Sequence, residues 1–311
     1  MKFISVMTPC YNEEENVEDV YTQVKKVFEN LGAYRYEHIF IDNASTDKTV
    51  PILREIAEKD KNVKIIVNAR NFGHIRSPYH ALLQAQGDAV IAIVADLQDP
   101  PSMIADFVRK WEEGYKIVVG IKKYSEESPL MFKIRQLYYR ISSRLSEVEL
   151  LKDFAGLGLY DKTIIDILRQ INDPYPYLRG LITDIGFEIA KIEYTQPARR
   201  RGITKNNFYT LYDVAMLGIT SHSKVPLRLA AMLGFAASVL SLAIAFCYFI
   251  YKLIFWNTFS VGIAPLVIGL FLFSSVQLFF LGILGEYIGS IHTQVLKRPL
   301  VIEKERINFD N

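Results

Sequence analysis

Between Leu229 and Tyr251 the chain has 23 consecutive residues without a charge, and beyond the single Lys252 another 33 from Leu253 to Gly285. An α-helix rises about 1.5 Å per residue, so roughly 20 apolar residues cross the hydrocarbon core of a bilayer. These runs predict two transmembrane helices, about 229–251 and 261–287, joined by a short loop in which Tyr251 and Trp256 take interfacial positions. Lys224 and Arg228 precede the first helix, and Lys297, Arg298, Lys304 and Arg306 follow the second, against Lys252 alone between them. By the positive-inside rule both termini then lie in the cytoplasm. The expected location is the cell membrane, as a multi-pass protein whose soluble domain is cytoplasmic.

The remaining residues hold enough apolar side chains for a sizeable core. Lys and Arg total 36 against 34 Asp and Glu, a net charge of +2, which excludes a whole-chain nucleic-acid binder. Cys10 and Cys247 fall in a soluble strand and a membrane helix, so neither a disulfide framework nor a zinc site is available. From the N-terminus the pattern alternates. Phe3–Thr8, His38–Ile41, Val63–Val67, Ala89–Val94 and Ile117–Val119 read as strands, with helical spacing over 13–31, 49–59, 77–86 and 102–113. Asn12 with Glu15 resembles a capping box opening the first helix. Strand–helix alternation implies right-handed crossovers and a mainly parallel sheet covered on both faces.

Ligands of such open sheets bind beyond the carboxyl ends of the strands. The four ends read Thr8-Pro9-Cys10-Tyr11-Asn12-Glu13, Asp42-Asn43-Ala44-Ser45-Thr46-Asp47, Asn68-Ala69-Arg70-Asn71-Phe72-Gly73 and Ala95-Asp96-Leu97-Gln98-Asp99-Pro100-Pro101. Asp42 sits at a strand end itself, whereas Ser45 and Asp47 equally suit a local helix-capping turn. Further on, 128–150 has Lys133, Arg135, Arg140 and Arg144 among Leu130, Phe132, Ile134, Leu137, Tyr138, Ile141 and Leu145, a basic amphipathic pattern suited to a membrane surface. Phe208–Ser221 is a second amphipathic segment, preceded by the cationic run Arg199-Arg200-Arg201-Gly202-Ile203-Thr204-Lys205.

Taken in order, Pro9-x-Tyr11-Asn12-Glu13-Glu14, Asp42-Asn43-Ala44-Ser45-x-Asp47-x-Thr49, Arg70-Asn71-x-Gly73, Asp96-Leu97-Gln98-Asp99-Pro100-Pro101 and Arg199-x-x-Gly202-x-Thr204-Lys205, followed by two spans, resemble the family 2 GT-A glycosyltransferases that act on polyisoprenyl phosphates, relatives of dolichyl-phosphate mannose synthase. The resemblance implies an α/β GT-A nucleotide-binding domain over 1–206, an interfacial helix over 207–226, a two-helix membrane hairpin within 227–290 and a cytoplasmic tail over 291–311. It implies inverting transfer of a sugar from a nucleoside diphosphate to a polyisoprenyl phosphate such as undecaprenyl phosphate, with UDP-glucose favoured over a GDP-sugar such as GDP-mannose. By likeness Pro9, Tyr11, Glu13, Asp42, Arg70 and Lys205 contact the donor nucleotide, Arg199 its diphosphate, Arg135 and Arg140 the acceptor phosphate, and Asp153 orients the acceptor. A divalent cation, Mg²⁺ or Mn²⁺, would be held by Asp96 with Gln98, Asp99 being a further oxygen donor. Where the family usually presents a first aspartate, this chain has Val94. A catalytically silent nucleotide-sugar-binding scaffold is the alternative that Val94 favours. Membrane lipids and a homo-oligomer are the other expected partners. A processive polysaccharide synthase is the enzyme alternative, but it needs a Gln-x-x-Arg-Trp motif and more spans than two, and a dinucleotide oxidoreductase is disfavoured by the missing Gly-x-Gly-x-x-Gly.

Overall fold

In the computed structural model, the residues described are 1–124, 151, 154–197, 213, 216–220, 223–255 and 263–309. Eight strands form a single sheet: β1 (Lys2–Cys10), β2 (Tyr34–Asp42), β3 (Val63–Asn68), β4 (Ala89–Ala92), β5 (Ile117–Tyr124), β6 (Phe154–Asp161), β7 (Ile189–Thr195) and β8 (Glu303–Ile307). Their order across the sheet is β7-β5-β6-β4-β1-β2-β3-β8. The block β4-β1-β2-β3 is parallel throughout, with Cys10 beside Asp42 and Met7 beside Ala92. On one side β6 runs antiparallel to both β4 and β5, while β7 is parallel to β5.

Alternation along the strands feeds two cores. Ile4, Val6, Phe40, Ile65 and Ile91 face α1 (Val17–Asn30), α2 (Thr49–Lys59) and α4 (Met103–Glu112), packing against Val20, Val24, Leu53 and Phe107. Met7, Ile39, Ile41, Ile66 and Val90 face the opposite way, onto Tyr79 and Leu82 of α3 (Gly73–Gln84), Ile164 and Leu168 of α5 (Lys162–Ile171) and Leu181 of α6 (Leu178–Asp184). Strands buried on both faces read as continuous apolar runs, as these do. The α/β order expected from the sequence is therefore present. The first helix, however, begins at Val17 rather than at 13, and Asn12 and Glu15 form no capping box. Asn12 adopts φ 55°, and its side-chain oxygen accepts the N–H of Thr46 instead, while the N–H of Glu13 is taken by Thr49 Oγ1. The groups a box needs are used between loops.

The helices α7 (Val225–Ile254) and α8 (Ile263–Leu296) have 30 and 34 residues, which corresponds to about 45 and 51 Å of rise. Val225–Tyr251 and Leu272–Leu296 are long and apolar enough to cross a membrane, and almost none of either is buried within the protein. Phe235, Leu242, Phe246, Leu270 and Phe279 are all more than half exposed, an apolar surface that water would penalise heavily. Tyr287 donates to the carbonyl of Ser223 at 2.7 Å, tying α8 to the start of α7, and Gln294 donates to Asp173 at 2.8 Å, tying the end of α8 to the α/β domain. Of the segment expected to lie at the interface, 216–220 is helical, and Leu217 is buried against Tyr177.

The tail holds an element that the sequence reading lacks. Past α8 the chain returns and adds β8 antiparallel to β3, with the N–H of Ala69 bonded to the carbonyl of Ile302 at 2.9 Å. Asn308 donates to the carbonyls of Ala57 and Val63 at 2.7 and 2.9 Å, and Val301 is buried. His80 contacts Glu303, and Arg54 pairs with Glu305. Because β8 belongs to the same sheet as β1, the α/β domain and the tail would lie on one side of a membrane if the helix pair crosses one. Cysteines introduced at 257 and 311 in intact membranes are accordingly expected to label from opposite faces; labelling of both from one face would contradict the hairpin.

Candidate active site

The loops that leave β1 and β2 are laced together by side chains. Ser45 Oγ accepts the N–H of Asn12 at 2.8 Å, Asn12 Oδ1 accepts that of Thr46 at 2.8 Å, and Glu14 Oε2 accepts that of Lys48 at 2.9 Å. Asp47 takes the N–H groups of Glu14 and Thr49 at 3.2 and 3.0 Å, and these bonds hold its carboxyl below the usual range against the opposing effect of burial. Ser45 and Asp47 thus hold the two loops together. Asn43 extends the lacing to the third strand end: its side chain donates to Asn71 Oδ1 at 2.9 Å and accepts from the N–H of Phe72 at 2.9 Å. Gly73 follows at φ 86°, a backbone that only glycine enters cheaply.

Asp42, the last residue of β2, is fully buried. Its Oδ2 accepts the N–H of Ser45 at 2.9 Å, and its Oδ1 is buried with no partner. Burial pushes its carboxyl above the ordinary value, against the hydrogen bonds that Ser45 supplies. A buried acceptor without a donor is costly, and such groups gather where a ligand completes them. Pro9, Tyr11 and Glu13 lie alongside at the end of β1, half-buried, with Glu13 Oε2 accepting from Asn16 at 2.7 Å.

Beyond β4 the chain runs through Val94 to Asp96 and Gln98, all half-buried, with Asp96 Oδ1 accepting the N–H of Gln98 at 3.1 Å. Asp99 does not join them. It is buried, its Oδ1 accepts the hydroxyl of Tyr194 at 2.7 Å, and burial pushes its carboxyl up. The expectation that Asp99 supplies a further oxygen to a cation is therefore corrected: Tyr194 of β7 turns it into the core. Asn12, Ala44 and Leu97, one at each of three strand ends, have φ of 55°, 62° and 56°. Left-handed backbone at non-glycine residues costs about 1–3 kcal/mol each and collects at functional sites.

Among the described residues no three His, Cys, Asp or Glu side chains come together as a metal cage. Asp96 and Gln98 offer one carboxylate and one amide, a set that suits a hard cation sharing its shell with water and with substrate phosphates, and not one held by the protein alone. Arg70 is at the exposed end of β3, its guanidinium 4.1 Å from the Phe72 ring and bonded to the carbonyl of Asn71 at 3.0 Å. The sheet edge thus gathers Pro9, Tyr11, Glu13, Asp42, Asp96 and Gln98, with Arg70 at its margin. Arg135, Arg140, Asp153, Arg199 and Lys205 lie outside the described residues. Asn43 and Asn71 are additions to the sequence reading, and their polar character within a strand-end motif was the available signal.

An open α/β sheet with its polar and strained residues at the carboxyl ends of parallel strands defines a nucleotide-binding fold of the GT-A type. The sequence pattern of glycosyl transferase family 2 matches residues 5–166. A Bacillus subtilis protein described as the uncharacterized glycosyltransferase YkcC is 33% identical over 308 residues, 99% of this chain and 95% of that one. The SfII prophage-derived bactoprenol glucosyl transferase of Shigella flexneri is 31% identical over 303 residues, 97% of each chain. The crystal structure of a mycobacterial protein superposes with a TM-score of 0.50 at 18% identity, over 70% of this chain and 73% of that one, a likeness of fold. The chain belongs to glycosyl transferase family 2, and it is a glycosyltransferase.

The state of Asp42 is open to measurement. A carboxyl whose folded pKa is raised is destabilising when ionised, and that penalty fades as pH falls through the raised value toward the ordinary one of 3.8. Asp42→Asn is therefore expected to raise the melting temperature of the ligand-free protein near neutral pH, with an advantage that narrows as the medium is acidified. An advantage independent of pH would show that Asp42 is not strained by its burial.

Proposed function

We propose that this enzyme transfers glucose from UDP-glucose to a polyisoprenyl phosphate, such as undecaprenyl phosphate, at the cytoplasmic face of the cell membrane. The observation that carries the reading is the pairing of one nucleotide-type sheet edge, with the orphaned Asp42 and the half-buried Asp96, with two exposed helices of membrane length on the same chain. The bactoprenol glucosyl transferases similar over 97% of the chain support both the lipid acceptor and the sugar.

In this reading Asp42 accepts from the base or ribose, with Pro9, Tyr11, Glu13 and Arg70 flanking it, and Arg199 and Lys205 meet the diphosphate. Asp96 and Gln98 would hold Mg²⁺ or Mn²⁺, which supplies charge neutralisation to the leaving diphosphate. Arg135 and Arg140 hold the acceptor phosphate, and Asp153 orients it or its cationic partners. An oxygen of that phosphate, already largely ionised near neutral pH, forms a bond to the anomeric carbon as the bond to the β-phosphate oxygen breaks. UDP departs with the electron pair, and the anomeric configuration inverts. No strong base is required, so catalysis rests on orientation and charge stabilisation. A homo-oligomer would enlarge the small two-helix membrane domain.

Val94 and the withdrawal of Asp99 favour one other reading, a silent nucleotide-sugar-binding scaffold. The metal site separates the two. Asp96→Ala is expected to lower turnover by about 10²–10³-fold, the range found when a charge-stabilising contact is removed. Val94→Asp, which restores a second carboxylate, is expected to tighten Mn²⁺ binding or raise the rate. Turnover that is indifferent to chelator and to Asp96→Ala would overturn the assignment, and absence of turnover with any nucleotide sugar would favour the scaffold.

Donor and acceptor contacts should fail differently. A charge-assisted hydrogen bond is worth about 1.5–3 kcal/mol, at least tenfold in affinity. Arg140→Ala is expected to weaken saturation by the lipid phosphate and leave UDP binding by calorimetry near wild type, with Arg70→Ala doing the reverse. Loss of UDP affinity in Arg140→Ala, with acceptor saturation unchanged, would mean the basic segment serves the donor.

A further inference from the structure

At the end of α8, Lys297 takes a left-handed φ of 46° and the chain turns back over α3. The turn is fixed by Arg76, which donates from Nη2 to the carbonyl of Pro299, and this brings Arg298 beside it. Arg76 also lies 5.4 Å from the Phe72 ring on which Arg70 sits at 4.1 Å. Arg298 is thereby brought from a distant part of the sequence to Arg70 and Arg76. Among the described residues none of the three forms an ion pair with a carboxylate, whereas Arg54, Arg109, Arg169 and Arg306 each do. Arg76 Nε is shut off from solvent and has no hydrogen-bond partner. Burial first, and then the neighbouring Arg70 and Arg298, push its pKa below the usual value, with Tyr175 opposing.

Arginine does not discharge in a protein; Arg70 and Arg298 are exposed and screened by water, but Arg76, half-buried with its Nε unmet, is the one for which an anion would offset the neighbouring positive charges. The planar forks of guanidiniums match phosphate oxygens. Two features say where that phosphate comes from. Lys297 and Arg298 follow directly on the apolar helix, at headgroup depth if α8 leaves a bilayer at Leu296. Tyr175, the neighbour of Arg76, also borders a cleft of about 500 Å³ along α8, where Gly282, Gly285 and Gly289 leave room for a hydrocarbon chain. The arginines do not line this cleft, and Asp213 and Glu286 do, so an anion would be held outside it, beyond Tyr175.

We infer that Arg76 and Arg298 bind the phosphate of an anionic membrane lipid where α8 meets the α/β domain, next to Arg70, which stays with the donor nucleotide. The lipid source rests on the membrane reading of α8; the anion site itself does not. Such a site would clamp the tail, and with it the margin of the nucleotide cleft, to the membrane surface.

Thermal unfolding of the full chain in an uncharged detergent tests this with three additions: short-chain phosphatidylglycerol, inorganic phosphate and UDP. Phosphatidylglycerol is expected to raise the melting temperature of the wild type, and Arg76→Gln and Arg298→Gln should each lose at least half of that rise. Arg298 forms no hydrogen bond among the described residues, so its variant keeps the test open if Arg76→Gln loosens the tail. The UDP-induced rise should survive in Arg298→Gln. A rise with inorganic phosphate that the variants also lose would support the anion site independently of any membrane. Equal phosphatidylglycerol rises in wild type and variants would overturn the site. A response to free phosphate but none to the lipid would overturn its lipid character. Loss of the UDP rise in Arg298→Gln would reassign the cluster to the donor. Failure of UDP to stabilise even the wild type would count against the proposed reaction and leave this site standing.

Discussion

The parallel pairing of β1 with both β2 and β4 decides where the rest of the site can be. It places the ends of three strands side by side, and it does so deep in the sheet, where Ile4, Val6, Ile39, Ile41, Val90 and Ile91 are fully buried. Loops leaving parallel strands emerge at one edge and must satisfy their own backbone groups there. Asn12, Ser45, Asp47 and Asn43 do this by bonding across from loop to loop. With the loops fixed, Asp42 is buried with one oxygen unmet, and three non-glycine residues are held in left-handed backbone. The loops at this edge are cross-linked without any ligand, the arrangement that a reaction driven by orientation and charge requires.

The second constraint is the return of the tail. A hairpin of two long apolar helices could hang from the domain by a single linker, but β8 completes the sheet next to β3 and closes the connection from the other side. The strand that does this is mostly charged, as edge strands commonly are, with half-buried Glu303, Glu305 and Ile307 alternating with exposed Lys304 and Arg306. Isolated exposed ion pairs such as Arg54 with Glu305 contribute little. The backbone ladder, the buried Val301 and the side chain of Asn308, bonded to two carbonyls, carry more of the attachment.

Much of this is legible in the sequence, for physical reasons that differ by element. The two long apolar helices declare themselves by the absence of charge, and β1 to β4 by short apolar runs. The polar strand ends declare the cleft, since Asp42 and Asp96 stand where an apolar run stops. What escapes is whatever depends on a distant partner. Glu-Lys-Glu-Arg-Ile has no apolar alternation of its own and becomes a strand only because β3 offers it an edge. Asp99 looks equivalent to Asp96 in the sequence and is taken out of the site by Tyr194, 95 residues away. Asn12 looks like a helix cap, and a better-placed acceptor role toward Thr46 claims it instead.

In the proposed reaction a sugar, and only the sugar, passes at the sheet edge from a nucleoside diphosphate to a lipid phosphate. The most direct measurement is the pair of products formed from UDP-glucose and undecaprenyl phosphate by the membrane-embedded protein: the nucleotide by chromatography and the glycolipid by mass and by the anomeric coupling in its NMR spectrum. The expected result is UDP in equal amount with a lipid monophosphate sugar whose anomeric configuration is opposite to that of the donor. Release of UMP with a lipid diphosphate sugar, or a product that keeps the donor's configuration, would contradict it.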